Sequence, residues 1–211
     1  MRLAELSERS GVTTATIKYY LREGLLPPGE RISATQAEYG EEHLRRLRLV
    51  RALVQVGRIP VATAREVLTA IDDDRTDQLT RIGTAVAALP QPAPPRRRDE
   101  TVVTAEALAG ELQRRLGWRI VVDNPAHQAL VTALAALLRL GYPCAVEQLL
   151  PYGAAADGLA AHEIALIGEF ASPTTQLEAA VALTVLYEPV LLSLRRLAQA
   201  EAATRQLRDP S

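Results

Sequence analysis

A single cysteine, Cys144, in 211 residues excludes an internal disulfide and any site built from several thiolates of one chain. Aromatic residues make up only 4 % of the chain, with one Trp and one Phe. The apolar 48 % is mainly Ala, Leu and Val, which favours helices over an aromatic-rich sheet. No apolar run is expected to approach the roughly 20 residues that span a bilayer. Met1 to Arg9 carries charge without an apolar signal core. The expectation is a mainly α, cytoplasmic protein with no membrane partner.

Neither sign of charge dominates, since the net is -1, but the distribution is uneven. Residues 1–70 carry +3, residues 71–98 carry +1 and residues 99–211 carry -5. A basic front and an acidic back point to an anionic partner for the front.

Leu3, Leu6 and Val12 lie on one side of a short helix that Gly11 stops. Thr13 caps a second, over Thr14 to Glu23, with Ile17, Tyr20 and Leu21 at helical spacing and Gly24 as its end. Leu25 to Gly29 cannot continue a helix, and Arg31 to Tyr39 suits a small hairpin or wing. Leu44, Leu47, Val50 and Val54 stripe a helix up to Gly57, and Pro60 opens another carrying Val67 and Ile71. Asp72-Asp73-Asp74 is expected to cap a helix with Leu79, Ile82, Val86 and Leu89 on one side. Pro90 to Pro95 and Arg96 to Arg98 read as a linker.

Beyond the linker, Thr104 caps a helix to Leu116, and Asn124-Pro125 opens one that Gly141 stops after Leu140. Pro143 starts a short helix, Asp157 a helix to Phe170, and Ser172-Pro173 a long one to about Arg208 that Pro189 should kink or divide. Ile120-Val121-Val122 is the one strand-like run.

The turn Gly11-Val12-Thr13, the run Thr16-Ile17-Lys18-Tyr19-Tyr20, the exit Gly24-Leu25-Leu26-Pro27, and Arg46 to Val50 with Val56-Gly57 together resemble the winged-helix DNA-binding domain of the MerR (mercury-resistance) family of transcription regulators, over about residues 1–72. Independently of the name, a helix of about 10 residues after a tight turn fits a major groove about 12 Å wide. Its polar candidates are Thr14, Thr16, Lys18, Tyr19 and Arg22; cations and hydroxyls bind phosphate and position the protein before any base is read. Tyr20, on the Ile17 side, reads as core. The resemblance further implies backbone contacts from Arg31, Tyr39 and Arg58. Gln36-Ala37 stand where the family commonly carries Tyr-Arg, and Leu21 where it carries an acid.

The expected organisation is therefore a winged helix-turn-helix domain over 1–72, a dimerisation helix over 73–89, a linker over 90–100 and an all-helical domain over 101–211. The resemblance implies a homodimer on double-stranded promoter DNA, with RNA polymerase as a further partner. A seam of Leu79, Ile82, Val86 and Leu89 gives only about two heptads, so the back half is a candidate to share in dimerisation.

No metal or cofactor is expected. Cys144, His127, His162, Asp123, Glu163 and Glu169 fall at no metal-ligand spacing, and no phosphate loop, nucleophilic triad or carboxylate pair is recognisable. Cys144 suits a buried small hydrophobe. Trp118, Tyr142, Tyr152, Phe170 and Tyr187 could wall a ligand pocket or fill a helical core. Three functions follow in order: a promoter-binding regulator that senses a small organic ligand or a protein, an architectural DNA-binding protein without a signal, and a helical enzyme domain on a DNA-binding arm.

Overall fold

The computed structural model describes residues 1–33, 36–90, 92, 97–119 and 123–208, without the side chains of Leu79 and Leu207. Two units are distinct: residues 1–88 with 171–211, and residues 89–170. The architecture is mainly α with one two-stranded wing.

In the first unit, α1 (Leu3–Ser10) ends at Gly11, whose φ of 65° is the left-handed cap its lack of Cβ permits. α2 (Thr14–Arg22) begins where the Thr13 hydroxyl accepts the Thr16 N–H at 3.2 Å. β1 (Glu30–Arg31) and β2 (Ala37–Glu38) pair antiparallel, Arg31 opposite Ala37. α3 (Glu41–Arg51) passes into a π-helical turn, Ala52–Val56, instead of continuing regularly to Gly57. α4 (Val61–Asp72) follows Pro60 as its N-cap. Leu6, Ile17, Leu44, Leu47, Leu53 and Val67 are fully buried and form the core of this unit.

α5 (Gln78–Ala87) is ten residues long and shorter than the spacing predicts, because Asp77 caps it, accepting the Thr80 N–H at 3.0 Å. Asp73 instead ends α4 and holds Arg75. α5 packs on α4 and on the last helix, α9 (Pro173–Arg208). α9 runs unbroken through Pro189. Against the expectation from the sequence, part of it is long and apolar enough to cross a bilayer by length and composition, with only Glu178 and Glu188 interrupting its first apolar stretch. Its first half is a core helix, with Leu177 and Val181 fully buried. The expected single domain over 101–211 is thus divided, and its last helix belongs to the first unit.

In the second unit, Asp99 caps α6 (Glu100–Arg115), and Thr104 sits inside that helix with its hydroxyl on the Glu100 carbonyl. α7 (Pro125–Leu140) has the expected Asn124 cap, Pro125 first turn and Gly141 stop. α8 (Val146–Gly168) is one helix where two were expected. Pro151 removes a single internal hydrogen bond, and the flanking turns carry the helix through. Val102, Ala105, Ala109, Val131, Leu134 and Cys144 are buried together as the core, which agrees with the reading of Cys144. Ile120 to Val122, the strand-like run, lie outside the described residues.

Candidate nucleic-acid interface

The turn between α1 and α2 is fixed from three sides. Ser7 Oγ donates to the Val12 carbonyl at 2.7 Å, Ser10 Oγ accepts the Val12 N–H at 3.2 Å, and Arg51 of α3 donates to the Ser10 carbonyl at 2.7 Å. The far end of α2 is fixed by Arg65 of α4, which donates to the backbone carbonyl of Glu23 at 2.7 Å and to its carboxylate at 2.8 Å. Arg51 and Arg65 are positioning residues that local periodicity could not reveal, because their partners lie about 40 residues away.

α2 buries Ile17 and Tyr20, and burial pushes the Tyr20 phenol above its usual range. Its opposite side carries Thr14, Lys18 and Arg22, all exposed and four residues apart, so they form a single row. Lys18 has no ion pair among the described residues. The Arg22 guanidinium stands 5.3 Å from the centre of the Tyr19 ring, which holds both side chains over the same surface. Thr16 differs from its neighbours: it is half-buried and its hydroxyl lies 2.8 Å from that of Thr13, so it serves the cap. At 1.5 Å per residue α2 is about 14 Å long, which suits end-on or oblique entry into a major groove.

Arg31 is exposed on the wing. Tyr39 is not: it is 7 % exposed, edge-on to the His43 ring at 5.2 Å, and its backbone pairs in both directions with Met1, at 2.9 and 2.7 Å. Tyr39 therefore anchors the wing with its ring buried, at a position where the resemblance implies contact with the DNA backbone. Gly29 makes room for it, because a Cβ there would lie 2.9 Å from the ring and 2.6 Å from the Glu38 carbonyl. Leu21, Gly29, Arg31 and Tyr39 line an open cleft of about 490 Å³ between the end of α2 and the wing. Arg58 is exposed and has φ of 53°, uncommon for a residue with a side chain, directly after the π turn and Gly57.

Of the residues expected to dimerise, Ile82 and Val86 are half-buried on α5, Leu89 lies past its end and is buried, and the Leu79 side chain lies outside the described residues. In the second unit His127 is buried and 2.9 Å from Gln113 Oε1, His162 is exposed, and Trp118 donates to Asp157 at 2.9 Å. Tyr142, Tyr152 and Phe170 are exposed and so fill no core. Among the described residues no three His, Cys, Asp or Glu side chains gather as metal ligands.

Comparison with known proteins agrees with this geometry. The description "MerR HTH family regulatory protein" matches residues 1–71. The chain is 42 % identical over 50 residues, 24 % of its length and 37 % of the other's, to the HTH-type transcriptional regulator ZntR homolog of Haemophilus influenzae. It is 34 % identical over 56 residues, 26 % of its length and 42 % of the other's, to the mercuric resistance operon regulatory protein of Bacillus cereus. The matched part thus spans about two fifths of these relatives. Along nearly the whole chain, 98 % of it and 97 % of the other, it is 50 % identical to a Streptomyces coelicolor A3(2) protein assigned as a transcriptional regulator, SCO5550, whose crystal structure superposes with a TM-score of 0.84.

Proposed function

The chain belongs to the MerR family of helix-turn-helix regulatory proteins, and from that premise we propose that it acts as a homodimer on double-stranded promoter DNA in the bacterial cytoplasm. The observation that carries this reading is the row Thr14, Lys18 and Arg22, presented by a helix whose other side is locked into the core. Two such helices related by a two-fold axis read two half-sites, because the symmetry of the protein demands matching symmetry in the DNA. Arg31 on the wing and Arg58 in its left-handed turn are assigned to the phosphate backbone on either side. The helical unit of residues 89–170 is assigned to the signal, a small organic ligand or a protein, and RNA polymerase to the response. No enzymatic role is assigned, and the similar proteins are described as regulators.

Footprinting on the DNA upstream of the protein's own gene tests the reading. A protected pair of half-sites about one helical turn apart, competed away by the same fragment and not by bulk DNA, supports it. Equal protection of all sequences would make the protein an architectural one.

A further inference from the structure

Arg58 has the one positive φ outside glycine among the described residues, 53°, and it follows a π-helical turn and Gly57. An isolated chain leaves both conformations, since a side chain in the left-handed region crowds its own backbone and a π turn is rare. They persist where surrounding contacts over-determine them. Two backbone hydrogen bonds bracket Arg58: the Gly57 N–H donates to the Ala52 carbonyl at 2.8 Å, and the Ile59 N–H to the Leu53 carbonyl at 3.0 Å. The third support comes from α9. Leu177, Val181 and Val185 recur every four residues on it, all buried, and Val185 Cγ1 fills the place where a Cβ of Gly57 would stand. Upstream, the same helix is held to α5 by the Gln78–Gln176 hydrogen bond at 3.0 Å, and its Glu178 carboxylate lies 3.8 Å from Arg45 of α3. Downstream, every described side chain from Glu188 onward is exposed, so Val185 ends the docked row. A docked helix lifts first at such an end.

We propose that Val185 is a positioning residue for DNA: seated on Gly57, it holds Arg58 in the left-handed turn that presents the guanidinium to the phosphate backbone, and lifting of α9 there releases Arg58 and weakens the grip. The proposal rests on the assignment of Arg58 to the phosphate backbone and adds the element that controls it. The exposed guanidinium needs a fixed start, because phosphate contacts set register and orientation and a free long side chain loses entropy when it binds. A change of φ out of the left-handed region swings the Cα–Cβ bond, so the same side chain then starts in another direction. α9 also has the shorter covalent connection to the second unit. Residues 169–172 join α8 to α9, with Ser172 Oγ accepting the Thr175 N–H at 3.2 Å, whereas residues 88–99 join α5 to α6. A pull on the start of α9 therefore bears directly on the docked row that Val185 closes.

A double-mutant cycle tests the seat, read by fluorescence anisotropy on DNA from upstream of the protein's own gene across a salt series. Val185→Ala should weaken binding about fivefold, the loss expected when the left-handed conformer is no longer held, and lower the slope of log affinity against log salt by about one unit. Arg58→Ala should do the same, and adding Val185→Ala to Arg58→Ala should cost nothing further. Added to Lys18→Ala, Val185→Ala should still have its full effect. A variant that failed to fold would lose binding in every background, so it cannot imitate this pattern. Trypsin gives a reading without DNA: cleavage after Arg58 should be faster in Val185→Ala than in the wild type, while cleavage after Arg31 on the wing keeps its rate. Unchanged affinity in Val185→Ala, an equal loss in the Arg58→Ala background, or an unchanged rate of cleavage after Arg58 would each overturn the proposal and leave the regulator reading intact. A wild type that binds none of this DNA removes the regulator reading; faster cleavage after Arg58 in Val185→Ala then still upholds the seat, and an unchanged rate removes it as well.

Discussion

A Cβ on Gly57 would stand 2.3 Å from Cγ1 of Val185, so α9 is seated directly against the residue that precedes Arg58. The missing side chain serves close approach and not backbone freedom, since Gly57 has an ordinary φ of -72°. Gly57→Ala should therefore push α9 away from the π turn. We expect a loss of about 1–3 kcal/mol in urea unfolding of the first unit, the usual cost of overpacking. Val185→Ala added to it should recover part of that loss, with a coupling above about 0.5 kcal/mol. Additive effects of the two changes would show that the contact does not constrain α9.

Lys18 stands exposed at the middle of the row of α2, without an ion pair among the described residues. Lys18→Ala should weaken binding to related DNA sites by similar factors and lower the slope of log affinity against log salt by about one unit. The helix content and the oligomeric state should not change, because the side chain contributes to neither. Fluorescence anisotropy across a salt series gives both numbers, and an unaltered slope removes Lys18 from the phosphate contacts.

Where a boundary depends on local chemistry, the sequence is readable. Asn124, Pro125 and Gly141 delimit α7 because a cap, a first-turn proline and a left-handed stop act within a few residues. The same logic misplaces α5 and α6, where several capping residues compete. Asp77 caps α5 where Asp72 to Asp74 are expected to, and Asp99 caps α6 where Thr104 is expected to. Pro189 suggests a break that the flanking helical turns override. The polar row of α2 was readable from periodicity, and the burial of Tyr39 was not, since it depends on Met1 and His43. Nothing local announces that α9 returns to the first unit, because the signal is an absent Cβ at Gly57 opposite a residue more than a hundred positions away.

Asp99 joins two roles, accepting the Val102 N–H at 2.9 Å as the cap of α6 and an Arg139 N–H at 2.8 Å. The Arg139 hydrogen bond first, and the Val102 N–H second, hold its carboxyl below the usual carboxylate range. A carboxylate whose value is depressed by folding binds fewer protons folded than unfolded, so its contribution is complete above the unfolded value and is lost as pH falls through the folded one. Asp99→Asn keeps a capping oxygen and loses the charge. It should lower the melting temperature of the second unit at neutral pH by less than Asp99→Ala does, and its deficit should shrink toward acid pH. Trp118, the sole tryptophan and hydrogen-bonded to Asp157 within that unit, reports the transition by fluorescence. A deficit that stays constant down to strongly acid pH would mean the charge plays no part.

Metal dependence follows from the setting of each soft or imidazole ligand of the chain. Of the three histidines, His43 Nδ1 accepts the Gly40 N–H at 3.0 Å at the start of α3, His127 is paired with Gln113, and His162 stands on the exposed side of α8. Cys144 is buried among Val131, Leu134 and Ala135 in the core of the second unit. Transition-metal sensing requires several such ligands converging at about 2.0–2.3 Å from one ion, so recruiting Cys144 would require opening that core. Chelation should accordingly leave DNA affinity unchanged, and elemental analysis of the purified protein should find no stoichiometric zinc or copper. One tightly held ion per chain, together with loss of DNA binding on its removal, would contradict this. It would assign the ion to ligands drawn from two copies.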